Sequence, residues 1–185
     1  MITLEAVWSE AAQQRVYRRL LQTLARPGII ADLGDLDLGA PAWTAVLACL
    51  GDEAVTLADP LGLLDARTRG LLGMPSSGPA EATFVIAAGN RPPPAGLLPR
   101  NGTLLDPEQG ATLVLTVDAL GQGRTLDLRG PGIAASSRLG VGNLDPAWIA
   151  LRSRLDDAPR GIDLILADQT CCACLPRTTR ISGGT

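Results

Sequence analysis

Three groups of side chains in this 185-residue chain have types and spacings that suggest chemistry. The first is Cys171-Cys172-Ala173-Cys174, whose C-x-x-C invites a redox or metal reading. Residues 171–175 read as a strand, where side chains alternate, so only Cys172 and Cys174 share a face. A thioredoxin-type pair opens a helix, whereas Leu175-Pro176 follows here. Cys49 is the one other thiol, and a four-cysteine zinc site would need that remote partner. The spacing favours small hydrophobes packed in a buried strand. The second group, Gly130-Pro131-Gly132-Ile133-Ala134-Ala135, fits G-x-G-x-x-A after a strand. A dinucleotide fingerprint should open a helix within a parallel βαβ unit, so a tight turn with positive φ at glycine is the better reading.

The third group is Arg177-Thr178-Thr179-Arg180, with Arg160 and Asp163 before and within the neighbouring strand. Guanidinium forks beside hydroxyls suit a phosphate or another small anion, because Arg bonds oxyanions in bidentate fashion. The candidate ligand residues are Arg160, Asp163, Arg177 and Thr178. The competing reading, which is preferred, is an arginine bridging to Asp163 or to a carboxylate elsewhere, or a subunit contact. Ser76-Ser77 and Ser136-Ser137 read as loop serines without a base to activate them.

What the chain lacks narrows the chemistry further. It has no His and no Lys, and all 16 basic residues are Arg. No Ser-His-Asp triad, His-ligated zinc, Schiff-base lysine or P-loop lysine can be assembled from it. General acid–base work would fall to carboxylates, Tyr17 or a thiol, so catalysis by this chain alone is not expected.

These groups must be carried by interleaved helices and strands. Ser9 is placed to cap a helix over 10–25 whose apolar positions are Ala12, Val16, Leu20 and Leu24, with Tyr17 and Leu21 widening the core-facing stripe. Pro27-Gly28 stops it. A strand is predicted over 29–33, a helix opened by Pro41 through Leu50, a strand over 55–58 and a short helix over 61–72. The continuous apolar run 82–88 reads as a strand covered on both faces. Residues 89–102, rich in proline, read as an exposed loop. Strands over 112–117 and 124–129 are expected to form one hairpin through the glycine-rich 120–123, and 162–167 with 171–175 a second. Between them, Asp145 and Pro146 launch a helix to about Leu155. The pattern predicts a single α/β domain over 1–185, a mixed sheet flanked by helices, with a frayed tail over 182–185.

Composition agrees with a globular domain: 46% hydrophobic, 19% charged and only 3% aromatic. A net charge of −3, pI about 4.9 and scattered arginines give no global attraction to nucleic acid. No stretch approaches the roughly 18 apolar residues that span a bilayer, and residues 1–16 carry Glu5 and Glu10 without a signal-peptide pattern. The expectation is a cytoplasmic protein. Asn101-Gly102-Thr103 is a glycosylation sequon with no secretory context.

Four segments, taken in order, resemble one family. They are R-V-Y-R-R-L-L-Q-T-L-A-R-P-G (15–28), R-T-L-D-L-R-G-P-G-I-A-A (124–135), P-R-G-I-D-L-I-L (159–166) and L-P-R-T-T (175–179). At these separations they look like PhnH, a subunit of the carbon–phosphorus lyase system of bacterial phosphonate metabolism. Departures are small: Ala158 stands where an aromatic is usual, and Tyr17 and Thr23 where Phe and Ala are common. The resemblance implies a fold similar to the large domain of pyridoxal-phosphate-dependent transferases without the cofactor, and the absence of Lys independently excludes an internal aldimine. It also implies a homodimer when isolated and a complex with the G, I and J subunits, alongside an ATPase-like L subunit. That system displaces adenine from ATP with an alkylphosphonate to give a ribose alkylphosphonate triphosphate, and its iron–sulfur radical chemistry is attributed to the J subunit. No catalytic residue is carried over to this chain. The alternative, from a different class, is a stand-alone anion binder or enzyme built on the Arg and Thr residues above.

Overall fold

The computed structural model describes residues 6–183 as two sheets and four helices arranged in three layers. Helix α1 (Glu10–Ala25) begins where Ser9 accepts a hydrogen bond from the Ala12 amide, satisfying one orphan donor of the first turn. Strand β1 (Ala31–Asp32), helix α2 (Ala42–Leu50), strand β2 (Leu57–Ala58), helix α3 (Ala66–Leu72) and strand β3 (Phe84–Ala88) follow. Then come β4 (Thr112–Thr116), β5 (Ala119–Arg129), β6 (Ser137–Gly142), α4 (Pro146–Leu155), β7 (Asp163–Ala167), β8 (Cys171–Leu175) and β9 (Arg180–Ser182).

The main sheet has the order β1-β8-β7-β4-β3-β2. Strands β2, β3, β4 and β7 run parallel, and β8 turns back antiparallel to β7 and pairs with β1. Both faces are covered. On one, Ile86, Val114, Ile165, Cys172 and Cys174 pack against α1 and α2; on the other, Val85, Leu113, Leu164, Ala173 and Leu175 pack against α4 and the second sheet, β6-β5-β9. The mixed α/β architecture agrees with the sequence reading, as does the β7–β8 hairpin.

The first predicted hairpin does not form. Strand β4 lies in the centre of the main sheet, parallel to β3 and β7, while β5 leaves it and pairs with β6 and β9. The physical reason is burial: Leu113, Val114 and Leu115 are consecutive and fully buried, whereas β5 buries Leu126 and Leu128 and exposes Thr125, Asp127 and Arg129 between them. The glycine-rich 120–123 is a bulge in β5, with Gly121 and Gly123 at positive φ, and no turn between strands. Strands β6 and β9 were not predicted. Ser137 opens β6, and Ser182, expected in a frayed tail, belongs to β9 opposite Asp127; Gly184 and Thr185 of that expected tail lie outside the described residues.

Helix α1 also departs from expectation in one respect. Ala12, Val16, Leu20 and Thr23 are buried, but Tyr17 and Leu21 are about half exposed and Leu24 lies at the rim. The sheet covers a single stripe of the helix, and the expected widening faces outward. Of residues 61–72, only 66–72 are helical: Asp65 caps α3 by accepting from Thr68, and Asp59 folds the preceding turn by accepting from the amides of Leu63 and Leu64 and from Arg69.

Candidate functional site

The four segments carrying the resemblance lie far apart in sequence and meet at one end of the molecule. The 130–132 turn sits against the end of α1: a Cβ built on Gly132, at φ +79°, would lie 2.1 Å from the Ala25 carbonyl oxygen and 3.2 Å from Pro27. A Cβ on Gly130 would lie 2.7 Å from the Thr178 carbonyl oxygen, and one on Gly28 would lie 2.1 Å from Ser137 Oγ. Only glycine permits these approaches. G-P-G is therefore a turn packed between two other segments, as read from the sequence, and opens no helix.

Arg177 ties the remaining segments together. Its backbone amide and Nε donate to Asp163 Oδ1 at 2.6 and 3.3 Å, its Nη2 donates to Asp163 Oδ2 at 2.5 Å, and its Nη1 donates to the Pro107 carbonyl. Asp163 opens β7 and Arg177 follows β8, so the pair clamps the open end of the hairpin. Arg160 forms an ion pair with Asp157 across a tight turn, while Thr178 is exposed. Of the four candidate residues, Arg160, Arg177 and Thr178 line one cavity of about 450 Å³, and Asp163 stands behind its wall as the partner of Arg177.

The sequence offers Arg180 within the 177–180 run, but it points to neither Arg129 nor Arg152 as part of this cavity. Arg129 and Arg180 also line it and are directly opposed across the β5–β9 ladder. That opposition depends on β9, for which the sequence carried no alternating run. Beneath the 176–179 turn lies Arg152, only 3% exposed, whose Nη2 donates to the carbonyls of Pro176 and Thr179 at 2.8 and 2.7 Å. Burial lowers its pKa from the usual guanidinium value, opposed by Asp156 and Asp163. A signal for it did exist: Trp148, Leu151, Arg152 and Leu155 recur at helical spacing, which places Arg152 on the inward stripe of α4.

The cysteines behave as the alternation required. Cys172 and Cys174 share the α1-facing side, Ala173 the other, and Thr23 Oγ1 donates to Cys174 Sγ at 3.0 Å. Burial pushes the Cys174 thiol up to about 12 and the Cys49 thiol to about 11, and Cys172 higher still, so all three are protonated near neutral pH and unsuited to attack. No group of three or more Cys, Asp or Glu able to hold a metal occurs among the described residues.

A second cavity, of about 230 Å³, opens at the carboxyl ends of β3, β4 and β7, the customary ligand crevice of a parallel sheet. Trp43, Asn90, Asp118 and Asp168 line it. Asp168 is committed to structure, accepting from the amides of Leu120, Thr170 and Cys171, and Asp118 accepts from Asn90 and Asn143. Neither cavity is lined by a serine or cysteine; their hydroxyls are those of Thr178 and Thr116. No helix among the described residues is long and apolar enough to cross a membrane.

Comparison with known proteins matches residues 6–182 to the family described as bacterial phosphonate metabolism protein, PhnH. The chain is 42% identical over 178 residues to the C-P lyase subunit protein HtxG of Stutzerimonas stutzeri, covering 95% of this chain and 89% of that protein. It is 32% identical over 190 residues to the PhnH subunit of alpha-D-ribose 1-methylphosphonate 5-triphosphate synthase of Rhizobium meliloti (strain 1021), covering 91% and 89%. With the match spanning nearly its whole length, including all four converging segments, the chain belongs to the PhnH family of bacterial phosphonate metabolism proteins.

Proposed function

We propose that the chain is a subunit of a carbon–phosphorus lyase complex in organic phosphonate catabolism. In this reading it assists formation of an α-D-ribose 1-alkylphosphonate 5-triphosphate from ATP and an alkylphosphonate in the cytoplasm, with the bond-making groups supplied by partner subunits. One observation carries the assisting role: the four segments are committed to one another. Arg177 is taken up by Asp163 and Pro107, and Gly130 and Gly132 exist to let backbones meet. They build a shaped surface, and a chain without His or Lys has little left with which to run acid–base chemistry. The six-stranded sheet is read as the counterpart of the large domain of pyridoxal-phosphate-dependent transferases, working without that cofactor.

The partners in this reading are the G, I and J subunits, and a second copy of the chain when they are absent. The exposed stripe Tyr17, Leu21 and Leu24, spaced i, i+4, i+7 on α1, supports a helix-face contact. Co-expression of the tagged chain with the complete subunit set tests the assignment: the subunits should co-elute with it in constant ratio, and elution of this chain alone would overturn it. Light scattering across a dilution series should show a dimer that Leu21→Asp weakens at least about tenfold, since a carboxylate in a closed apolar contact is heavily penalised. A strict monomer at micromolar concentration would reject the dimer and leave the complex assignment standing.

A further inference from the structure

We propose that the 450 Å³ cavity beside the 130–132 turn binds a multiply charged phosphoryl or phosphonyl anion, held by Arg129, Arg160 and Arg180 with the Thr178 hydroxyl. Two of these arginines meet across the ladder between β5 and β9. Arg129 and Arg180 are direct Cα partners there, and like charges placed opposite one another across strands destabilise the pair. Neither side chain makes a hydrogen bond or ion pair among the described residues, although both line the same cavity. An anion seated between them converts the repulsion into two charge-assisted contacts.

The surroundings extend the positive field. Arg160 reaches the cavity while paired with Asp157, and its Nε is buried without a partner. Arg177 forms a wall whose own charge is balanced by Asp163. Behind the 176–179 turn, Arg152 carries a buried charge bonded to carbonyls, so its field is screened little by solvent. Asp156 is the one carboxylate among the lining residues, against four guanidiniums. Three forks and a hydroxyl match the several oxygens of a tetrahedral oxyanion better than the two of a carboxylate. The volume lies in the range that admits an esterified phosphate or a short polyphosphate.

The site is argued from this chain's own geometry, so it stands or falls separately from the complex assignment. Calorimetry on the full chain, free of partners, tests it with tripolyphosphate, methylphosphonate and ribose 5-phosphate, each at low salt and at about 0.3 M salt. The expected result is one saturable site per chain, tightest for tripolyphosphate and weakened by salt. Arg180→Gln should reduce affinity at least about tenfold. Arg129→Glu should do the same while placing a carboxylate opposite Arg180, so its thermal midpoint should not fall, which separates lost binding from lost folding. Arg15→Gln, on α1 and outside the cavity, should leave binding unchanged. Absence of saturable binding, or binding indifferent to Arg129→Glu and Arg180→Gln, overturns the proposal.

Discussion

Burial raises the pKa of all four thiols in this protein, most strongly at Cys49, Cys172 and Cys174, which has a chemical and a thermodynamic consequence. In native protein at pH 8, Cys172 and Cys174 should not react with a thiol reagent, while all four cysteines should react in denaturant; immediate reaction of all four in the native state would contradict the packing described. The folded values of about 11 for Cys49 and about 12 for Cys174 lie above the ordinary thiol value near 8.5, so their stabilising contribution is fully present below about pH 8.5. It is lost as pH rises towards those folded values, because the unfolded chain releases its protons first. The urea midpoint should therefore fall between about pH 8.5 and 10, and more shallowly in a Cys172→Ala, Cys174→Ala double variant, even though that variant starts from lower stability. Strand alternation made the disposition of these cysteines legible in the sequence. A bridge from one of these arginines to Asp163 was one of the readings open in the sequence, and the arginine is Arg177. That Arg129 stands opposite Arg180 was not legible, because a cross-strand partner is visible only once the register is known.

Elements with strong local signals are legible in the sequence, and those whose signals are tertiary are not. Helices α1, α2 and α4 announce themselves through Ser9, Pro41 and Asp145-Pro146. Strands β4 and β5, neighbours in sequence, form no hairpin because their burial patterns suit different sheets. Three consecutive buried residues in β4 and strict alternation in β5 already mark a central and a half-exposed strand. Strand β9 spans only three residues and β6 is interrupted by glycine, and the 130–132 turn that joins β5 to β6 packs on α1 and on the 176–179 turn. That packing is testable with two glycines of similar backbone conformation. Gly96, at φ +76°, has nothing within 4 Å of a built Cβ, so Gly96→Ala should cost only the left-handed penalty of about 1–2 kcal/mol. Gly132, at φ +79°, has the Ala25 carbonyl oxygen at 2.1 Å, so Gly132→Ala should cost at least ~2 kcal/mol more by urea denaturation, through displaced backbone. Equal losses for the two variants would show that the turn does not bear on α1.

At the scale of the whole molecule, the family segments of this mixed α/β fold are gathered at one end, around an arginine-lined cavity. The absence of His and Lys removes the catalytic routes that need those side chains, and this is visible in the composition. The converging end could not be read from the sequence, because it depends on contacts between residues more than a hundred positions apart, such as Gly132 with Ala25. The central claim is that this chain enables a reaction it does not perform alone. The most direct test follows formation of the ribose alkylphosphonate triphosphate from ATP and methylphosphonate by phosphorus NMR. It compares the complete set of subunits, the set lacking this chain, and this chain alone. The account predicts product only from the complete set. Product from the isolated chain, or an undiminished rate in its absence, would contradict it.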